Sequence, residues 1–143
     1  MRLSSPAFKD GQPLPTRFAH PGVVGGENIS LPLVWGGVPE GTQSFALSII
    51  DPHPVAHDWV HWIVVDIPKN TLSLPEGASS RQMAPGAKEL YNSYGEIGYG
   101  GPEPPPGSGP YPYVVTLYAL LVGKTDLSAN SSWNAVQKAL GDK

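Results

Sequence analysis

The stretch from Ser44 to Trp62, SFALSIIDPHPVAHDWVHW, places the strongest constraint on how this chain can fold. An apolar run of strand type leads into a short polar corner, and an aromatic run of strand type follows it. Pro52 and Pro54 argue against a helix, because proline lacks an amide donor and restricts the residue before it. Strand alternation predicts that Phe45, Leu47, Ile49 and Asp51 share one side of the first strand. It also predicts that Trp59, His61, Ile63 and Val65 share one side of the next strand. Asp51 and His61 each continue an apolar face, so we expect them at the bottom of a pocket.

The rest of the chain is typical of short strands joined by turns, since it contains 17 glycines and 17 prolines among 143 residues. The predicted strands are Leu31 to Trp35, Gln43 to Ile50, Trp59 to Ile67, Thr71 to Leu74 and Tyr113 to Val122. A helix is predicted from Ser131 to Leu140, with Asn130 as its cap and Gly141 as its stop. The strands follow one another too closely for βαβ crossovers. We therefore expect one mostly β domain over residues 1–143, built of antiparallel sheets.

Charge and cysteine content exclude several classes of function. The formal net charge is -3 and no basic run occurs, so the sequence predicts neither nucleic-acid binding nor attraction to an acidic membrane surface. The chain has no cysteine and therefore no disulfide or thiolate metal site. No segment is long and apolar enough to insert into a membrane, and the first residues contain no apolar signal segment. A cytoplasmic location is the prediction.

The polar corner carries an unusual density of titratable side chains: Asp51, His53, His57, Asp58 and His61. One interpretation is a site for an anion or a metal ion. The alternative is that Asp51 caps a turn and the histidines lie at the surface. We favour the surface interpretation for His53 and His57. For Asp51 and His61 we favour a site, because burying a polar group without a partner costs about 1 to 3 kcal/mol.

A second distinctive segment runs from Tyr91 to Tyr113, YNSYGEIGYGGPEPPPGSGPYPY. Its glycines permit close backbone approach and its prolines stiffen the loop, so its amide groups could bind an anion with little loss of entropy. A plain surface connection and a polyproline ligand for a partner protein remain the alternatives.

These two segments carry a resemblance to a known family. In order and spacing, NISLPLVW, VPEGTQSFALSIIDPHPVAHDWVHWIVVDIP and GYGGPEPPPGSGPYPYVVTLYAL resemble the bacterial and archaeal, Raf-kinase-inhibitor-like branch of the phosphatidylethanolamine-binding proteins. The resemblance implies an antiparallel β-sandwich with one or two short helices. It also implies a pocket at one end of the sandwich that accepts phosphate, acetate or a phospholipid headgroup.

The resemblance assigns ligand-binding positions by motif: Asp51, Trp59, His61, Gly101, Pro104, Pro105, Tyr111 and Tyr113. It implies that His61 donates to an anionic oxygen, that Asp51 orients His61 or accepts from a headgroup amine, and that Trp59 forms an apolar wall. Amide groups of the glycine-proline loop would add further donors.

The sequence departs from the family pattern at several positions. His53 replaces a second acidic residue, Glu103 stands where a small or neutral residue is common, and Tyr111 replaces a histidine. A tyrosine still donates a hydrogen bond but cannot become cationic. The chain also stops at GDK, where relatives usually continue.

The predicted function is non-catalytic binding of a small anion or a phosphorylated headgroup, with regulation of a partner protein as an extension and with no cofactor. One alternative is a protein-interaction module with a degenerate pocket. The other is a metal-assisted hydrolase using Asp51, His53, His57 and His61. It is disfavoured because the histidine spacing suits a helix that Pro52 and Pro54 oppose, and because GxSxG and HExxH motifs are missing.

Overall fold

The chain folds into two antiparallel sheets in a computed structural model that describes residues 1–11, 14–52, 59–102 and 113–141. The strands are β1 (Arg2–Ser4), β2 (Leu33–Gly36), β3 (Ser44–Asp51), β4 (Trp59–Pro68), β5 (Ser73–Leu74), β6 (Lys88–Glu89) and β7 (Val114–Leu120). The smaller sheet has the order β1-β2-β5, and the larger sheet has the order β6-β4-β3-β7. Every pairing between these strands is antiparallel, which confirms the predicted fold class.

One hydrophobic core lies between the two sheets. Most of its buried side chains come from both sheets and from the 3-10 turn Thr16–Phe18: Phe18, Leu33, Trp35, Phe45, Leu47, Ile49, Trp62, Val64, Ile67 and Leu74. Phe45, Leu47 and Ile49 lie in this core together, as strand alternation predicted. The same face of β3 ends at Asp51.

A second core covers the other face of the larger sheet. The helix α1 (Trp133–Gly141) contributes Val136 and Leu140 to this core, which also contains Ile63 and Val65 from β4. The apolar side chains of this helix occur at the spacing predicted from the sequence, so a helix on a sheet face follows from the pattern.

The predicted cap of the helix is wrong by two residues. The hydroxyl oxygen of Ser132 accepts a hydrogen bond from the amide of Ala135 at 3.1 Å, which is the arrangement of an N-cap residue. Asn130 lies exposed before the helix begins.

The predicted ends of the long strands lie within two residues of the observed ends. Three short elements were not predicted. These are β1, β6 and the 3-10 turn at Thr16–Phe18. Each has two or three residues, which is too short to show any hydrophobic periodicity.

Strand β4 contains two β-bulges, and they change which side chains share a face. Ile49 pairs with Trp62 and Ile50 pairs with Val60, so His61 is an extra residue without a partner in β3. As a result Ile63 and Val65 contribute to the core beneath α1, not to the side of the sheet that holds His61. The prediction that Trp59, His61, Ile63 and Val65 share one side is therefore wrong.

Candidate functional site

Asp51 and His61 lie at the same end of the larger sheet, and both are buried. Asp51 and His61 each expose only 3% of their surface to solvent. Asp51 pairs directly with Trp59 in the β3–β4 ladder, and the bulge places His61 two residues further along β4. The Asp51 carboxylate is close enough to favour the charged form of His61. The corner thus brings an acid and an imidazole together, as expected from the sequence.

His61 is fixed by two hydrogen bonds to Gly100. The Gly100 amide donates to the carbonyl oxygen of His61 at 2.8 Å, and the His61 ring nitrogen Nδ1 lies 2.7 Å from the Gly100 carbonyl oxygen. Because a carbonyl oxygen only accepts, Nδ1 must carry the hydrogen. The segment rich in glycine therefore meets the polar corner, as predicted from the sequence.

The other ring nitrogen of His61, Nε2, is buried and has no hydrogen-bond partner among the described residues. Burial lowers the pKa of His61, while the hydrogen bond to Gly100 and the charge of Asp51 act in the opposite direction. The neutral ring is therefore favoured near pH 7. In that state Nε2 presents a lone pair and can only accept a hydrogen bond.

Two tyrosine rings lie close to the imidazole ring of His61. The ring of Tyr113 lies edge-on at 5.3 Å between centroids, and the ring of Tyr94 lies at 6.3 Å. Trp59 packs edge-on against the same Tyr94 ring at 5.2 Å, and His20 stacks on it at 4.5 Å. Trp59, His61 and Tyr113, all predicted from the sequence, are thus neighbours through direct ring contacts or through Tyr94.

Trp59 contributes a polar group as well as an apolar surface. Its indole nitrogen Nε1 is buried and has no hydrogen-bond partner among the described residues. An indole nitrogen can only donate a hydrogen bond. Among the described residues, Trp59 therefore offers the cluster an unpartnered donor and His61 an unpartnered acceptor.

The loop around Gly101 is held by the segment that follows the 3-10 turn. The Gly101 amide donates to Oδ1 of Asn28 at 2.7 Å, and the Tyr94 hydroxyl donates to the Gly101 carbonyl at 2.6 Å. The amide of His20 donates to the Pro102 carbonyl at 3.0 Å. The amide of Gly101 is thus already used within the protein, so in this structure it shapes the loop and is not free to bind an anion.

Glycine is required at position 101 by this close contact. A Cβ atom there would lie 2.2 Å from the Phe18 carbonyl oxygen and 2.7 Å from the Ala19 carbonyl carbon. Both are backbone atoms and cannot rotate away. The sequence correctly marked this segment as one of close backbone approach.

Several predicted positions lie outside the described residues. These are Pro104, Pro105 and Tyr111 from the predicted ligand-binding set, together with His53, His57, Asp58 and Glu103. Their predictions therefore stay predictions.

Sequence reasoning missed Tyr94, His20 and Asn28. Tyr94 lies within the segment from Tyr91 to Tyr113, but no feature of the sequence marked it as a binding residue. Its contacts arise because the segment after β6 runs beside β4, where the Ser93 amide donates to the Val60 carbonyl oxygen. Asn28 has a positive φ of 54°, a conformation in which asparagine is enriched, but no local pattern indicated its distant partner. Only His20 offered a signal, as a histidine near glycines, and that signal is weak.

Comparison with known proteins identifies the family. The sequence model of the phosphatidylethanolamine-binding protein family matches residues 4–143. The chain belongs to this family. Its relative YbcL of Escherichia coli is 39% identical over 137 residues, covering 92% of this chain and 74% of YbcL. A relative from Aquifex aeolicus is 35% identical over 143 residues, covering 100% of this chain and 81% of the relative.

Solved structures of family members have the same fold. The crystal structure of Escherichia coli YbcL, described as a member of the mammalian family, superposes with a TM-score of 0.91 at 37% identity, covering 99% of this chain and 89% of that one. The structure of CT736 from Chlamydia trachomatis, described as a homologue of phosphatidylethanolamine-binding protein, gives a TM-score of 0.81 at 31% identity, covering 96% and 86%.

Two further findings concern membranes and metals. None of the helices in the described parts of the chain has the length and apolar character needed to cross a bilayer. One relative, LppC of Mycobacterium tuberculosis, is named as a candidate lipoprotein; it is 38% identical over 122 residues, covering 85% of this chain and 56% of LppC. Residues 1–11, 14–52, 59–102 and 113–141 contain no cluster of three or more His, Cys, Asp or Glu side chains suited to a metal ion.

Proposed function

We propose that this protein binds a small anion or a phosphorylated headgroup, without catalysis, at the end of the larger sheet where Asp51, Trp59, His61 and Tyr113 meet. The observation that carries the proposal is the unpartnered Nε2 atom of His61. A buried polar atom without a partner costs about 1 to 3 kcal/mol, so a ligand that pairs with it gains from relieving that cost. The membership of the family supports the same conclusion.

The ligand would meet a mixed surface. Rings of Trp59, Tyr94 and Tyr113 offer apolar walls, and Trp59 Nε1 offers a donor. The Asp51 carboxylate suits a cationic group, such as the amine of an ethanolamine headgroup, next to the anionic group. Regulation of a partner protein through an occupied or empty site, in a cytoplasmic setting, is part of the same proposal.

Calorimetric titration with inorganic phosphate and with phosphoethanolamine tests the proposal. The parent protein is expected to bind both, and His61→Phe, which keeps a ring but removes both nitrogens, is expected to bind at least about fivefold more weakly. Thermal unfolding of each protein checks that the variant is folded. Equal binding by both proteins would show that His61 is not part of the site.

A further inference from the structure

Resting on the proposed anion site, we propose that the site selects oxyanions that carry a proton, such as hydrogen phosphate, and rejects sulfate, which carries none near neutral pH. The selection arises because the described side chains place the bare lone pair of His61 Nε2 at the site and supply no permanent positive charge there.

The sequence around the site lacks permanent cations. Residues 18–28, 44–62 and 90–113, which supply every side chain of the cluster, contain no lysine and no arginine. Arg17 is adjacent in sequence, but its guanidinium makes hydrogen bonds of 2.9 and 3.1 Å to the Glu76 carboxylate. Strong oxyanion sites commonly use arginine or lysine. Within these three ranges, a positive side-chain charge can come only from protonation of a histidine.

The contact with Gly100 determines which nitrogen of His61 donates a hydrogen bond and which one accepts. The Nδ1 hydrogen of His61 is committed to the Gly100 carbonyl at 2.7 Å, so neutral His61 offers only the lone pair of Nε2. A sulfate oxygen placed against Nε2 would set a lone pair against a lone pair. A P–OH group donates to such an acceptor, while another phosphate oxygen can accept from Trp59 Nε1.

Sulfate can bind only if His61 takes up a proton. Among the residues that the structure describes, the titratable groups that face this ring are Asp51 from β3, Tyr94 from the segment after β6 and Tyr113 before β7. The Tyr94 hydroxyl already donates to Gly101 at 2.6 Å. Each bound sulfate would therefore bring one proton from solution to His61, and its affinity would rise about tenfold for each unit that the pH falls. Phosphate supplies its own proton and has a weaker pH dependence.

The test is calorimetric titration of the parent protein with inorganic phosphate and with sodium sulfate, at constant ionic strength, at pH 7.5 and pH 5.5. Phosphate is expected to bind at least about tenfold more tightly than sulfate at pH 7.5, with the ratio shrinking at pH 5.5. Repeating the sulfate titration in two buffers of different ionisation enthalpy is expected to show uptake of about one proton per ion. Equal affinities at pH 7.5 would overturn the proposal.

Two variants distinguish a change in the preference for phosphate over sulfate from a general loss of anion binding. Asp51→Asn removes the negative charge that favours the protonated form of His61, so sulfate is expected to lose more affinity than phosphate and the preference for phosphate to widen. Trp59→Phe is expected to weaken both ions about equally. Trp35→Phe removes an equally buried, unpartnered indole nitrogen in the core between the sheets and should change neither affinity.

The outcomes distinguish this inference from the proposed function. If both ions bind equally and both are weakened by His61→Phe, the anion site stands and the selection is wrong. If neither ion binds at either pH, the proposed function fails, and the selection fails with it.

Discussion

Gly100 and His61 are joined by two hydrogen bonds that run in opposite directions, from the Gly100 amide to the His61 carbonyl at 2.8 Å and from the His61 ring to the Gly100 carbonyl at 2.7 Å. The bulge in β4 makes this pairing feasible, because it removes His61 from the ladder with β3. A backbone irregularity therefore fixes both the position of the imidazole and the nitrogen that carries its hydrogen.

The first prediction concerns the pH dependence of stability. Burial holds the pKa of His61 below its ordinary value of 6.5. In the unfolded chain the ring regains the ordinary value, so below pH 6.5 the unfolded state binds a proton that the folded state does not. The stabilising contribution of neutral His61 is complete above pH 6.5 and is lost as the pH falls from 6.5 toward the lowered pKa.

Urea unfolding of the parent protein and of His61→Phe between pH 8 and pH 5 measures this effect. The free energy of unfolding should fall more steeply with decreasing pH in the parent, since both proteins keep the other three histidines. Parallel curves would mean that burial does not perturb His61.

The second prediction concerns Gly101. Gly101→Ala is expected to destabilise the protein by about 2 kcal/mol or more, because the new methyl group would overlap the backbone of Phe18 and Ala19. It should also weaken phosphate binding, since the Gly100 carbonyl that orients His61 would have to move. Denaturant unfolding and calorimetry check both effects.

Gly36→Ala is the matched control, because a Cβ atom at that position in β2 would have no atom within 4 Å. Its stability should stay within about 0.5 kcal/mol of the parent. Similar behaviour of the two variants would contradict the steric explanation.

Much of the fold follows from local pattern. The long strands β3, β4 and β7 are mostly apolar segments of seven to ten residues, and α1 shows helical spacing. Asp51 was correctly placed in the face of Phe45, Leu47 and Ile49 because β3 pairs with β7 from Ser44 to Ile50 without a register shift. Where a strand is regular, alternation is a sufficient guide.

The face of His61 could not be predicted in this way. A bulge adds one residue and shifts every later side chain to the other face, and nothing in the composition of β4 marks the position. The sequence therefore identified the buried imidazole but not its neighbours. Tyr94, Asn28 and His20 reach the site through contacts between distant segments, which local patterns do not encode.

The third prediction tests the corrected helix start. Ser132→Ala removes the hydroxyl that accepts from the Ala135 amide at 3.1 Å and should cost about 1 kcal/mol of stability. Asn130→Ala, at the exposed position where the sequence suggested a cap, should change stability by less than about 0.5 kcal/mol. Denaturant unfolding of both variants decides between the two positions, and a larger loss for Asn130→Ala would reverse the assignment.

The fourth prediction concerns Asn28, whose side chain holds the loop from the opposite segment. Its Oδ1 accepts from the Gly101 amide at 2.7 Å, and its Nδ2 donates to the Tyr99 carbonyl at 3.3 Å. Asn28→Gly accommodates the positive φ of 54° but removes both bonds. Leaving the Gly101 amide without its partner is expected to cost about 1 to 3 kcal/mol of stability and to weaken phosphate binding by loosening the loop that orients His61.

Asn28→Asp separates the two bonds, because a carboxylate still accepts from Gly101 and also tolerates a positive φ, but cannot donate to Tyr99. Its phosphate affinity should lie closer to the parent than that of Asn28→Gly, when both are measured by calorimetry at the same pH and ionic strength. If Asn28→Gly instead bound phosphate as well as the parent, the orientation of His61 by Gly100 would not depend on the contact between Asn28 and Gly101. The placement of the imidazole would then have to rest on the bulge in β4 alone.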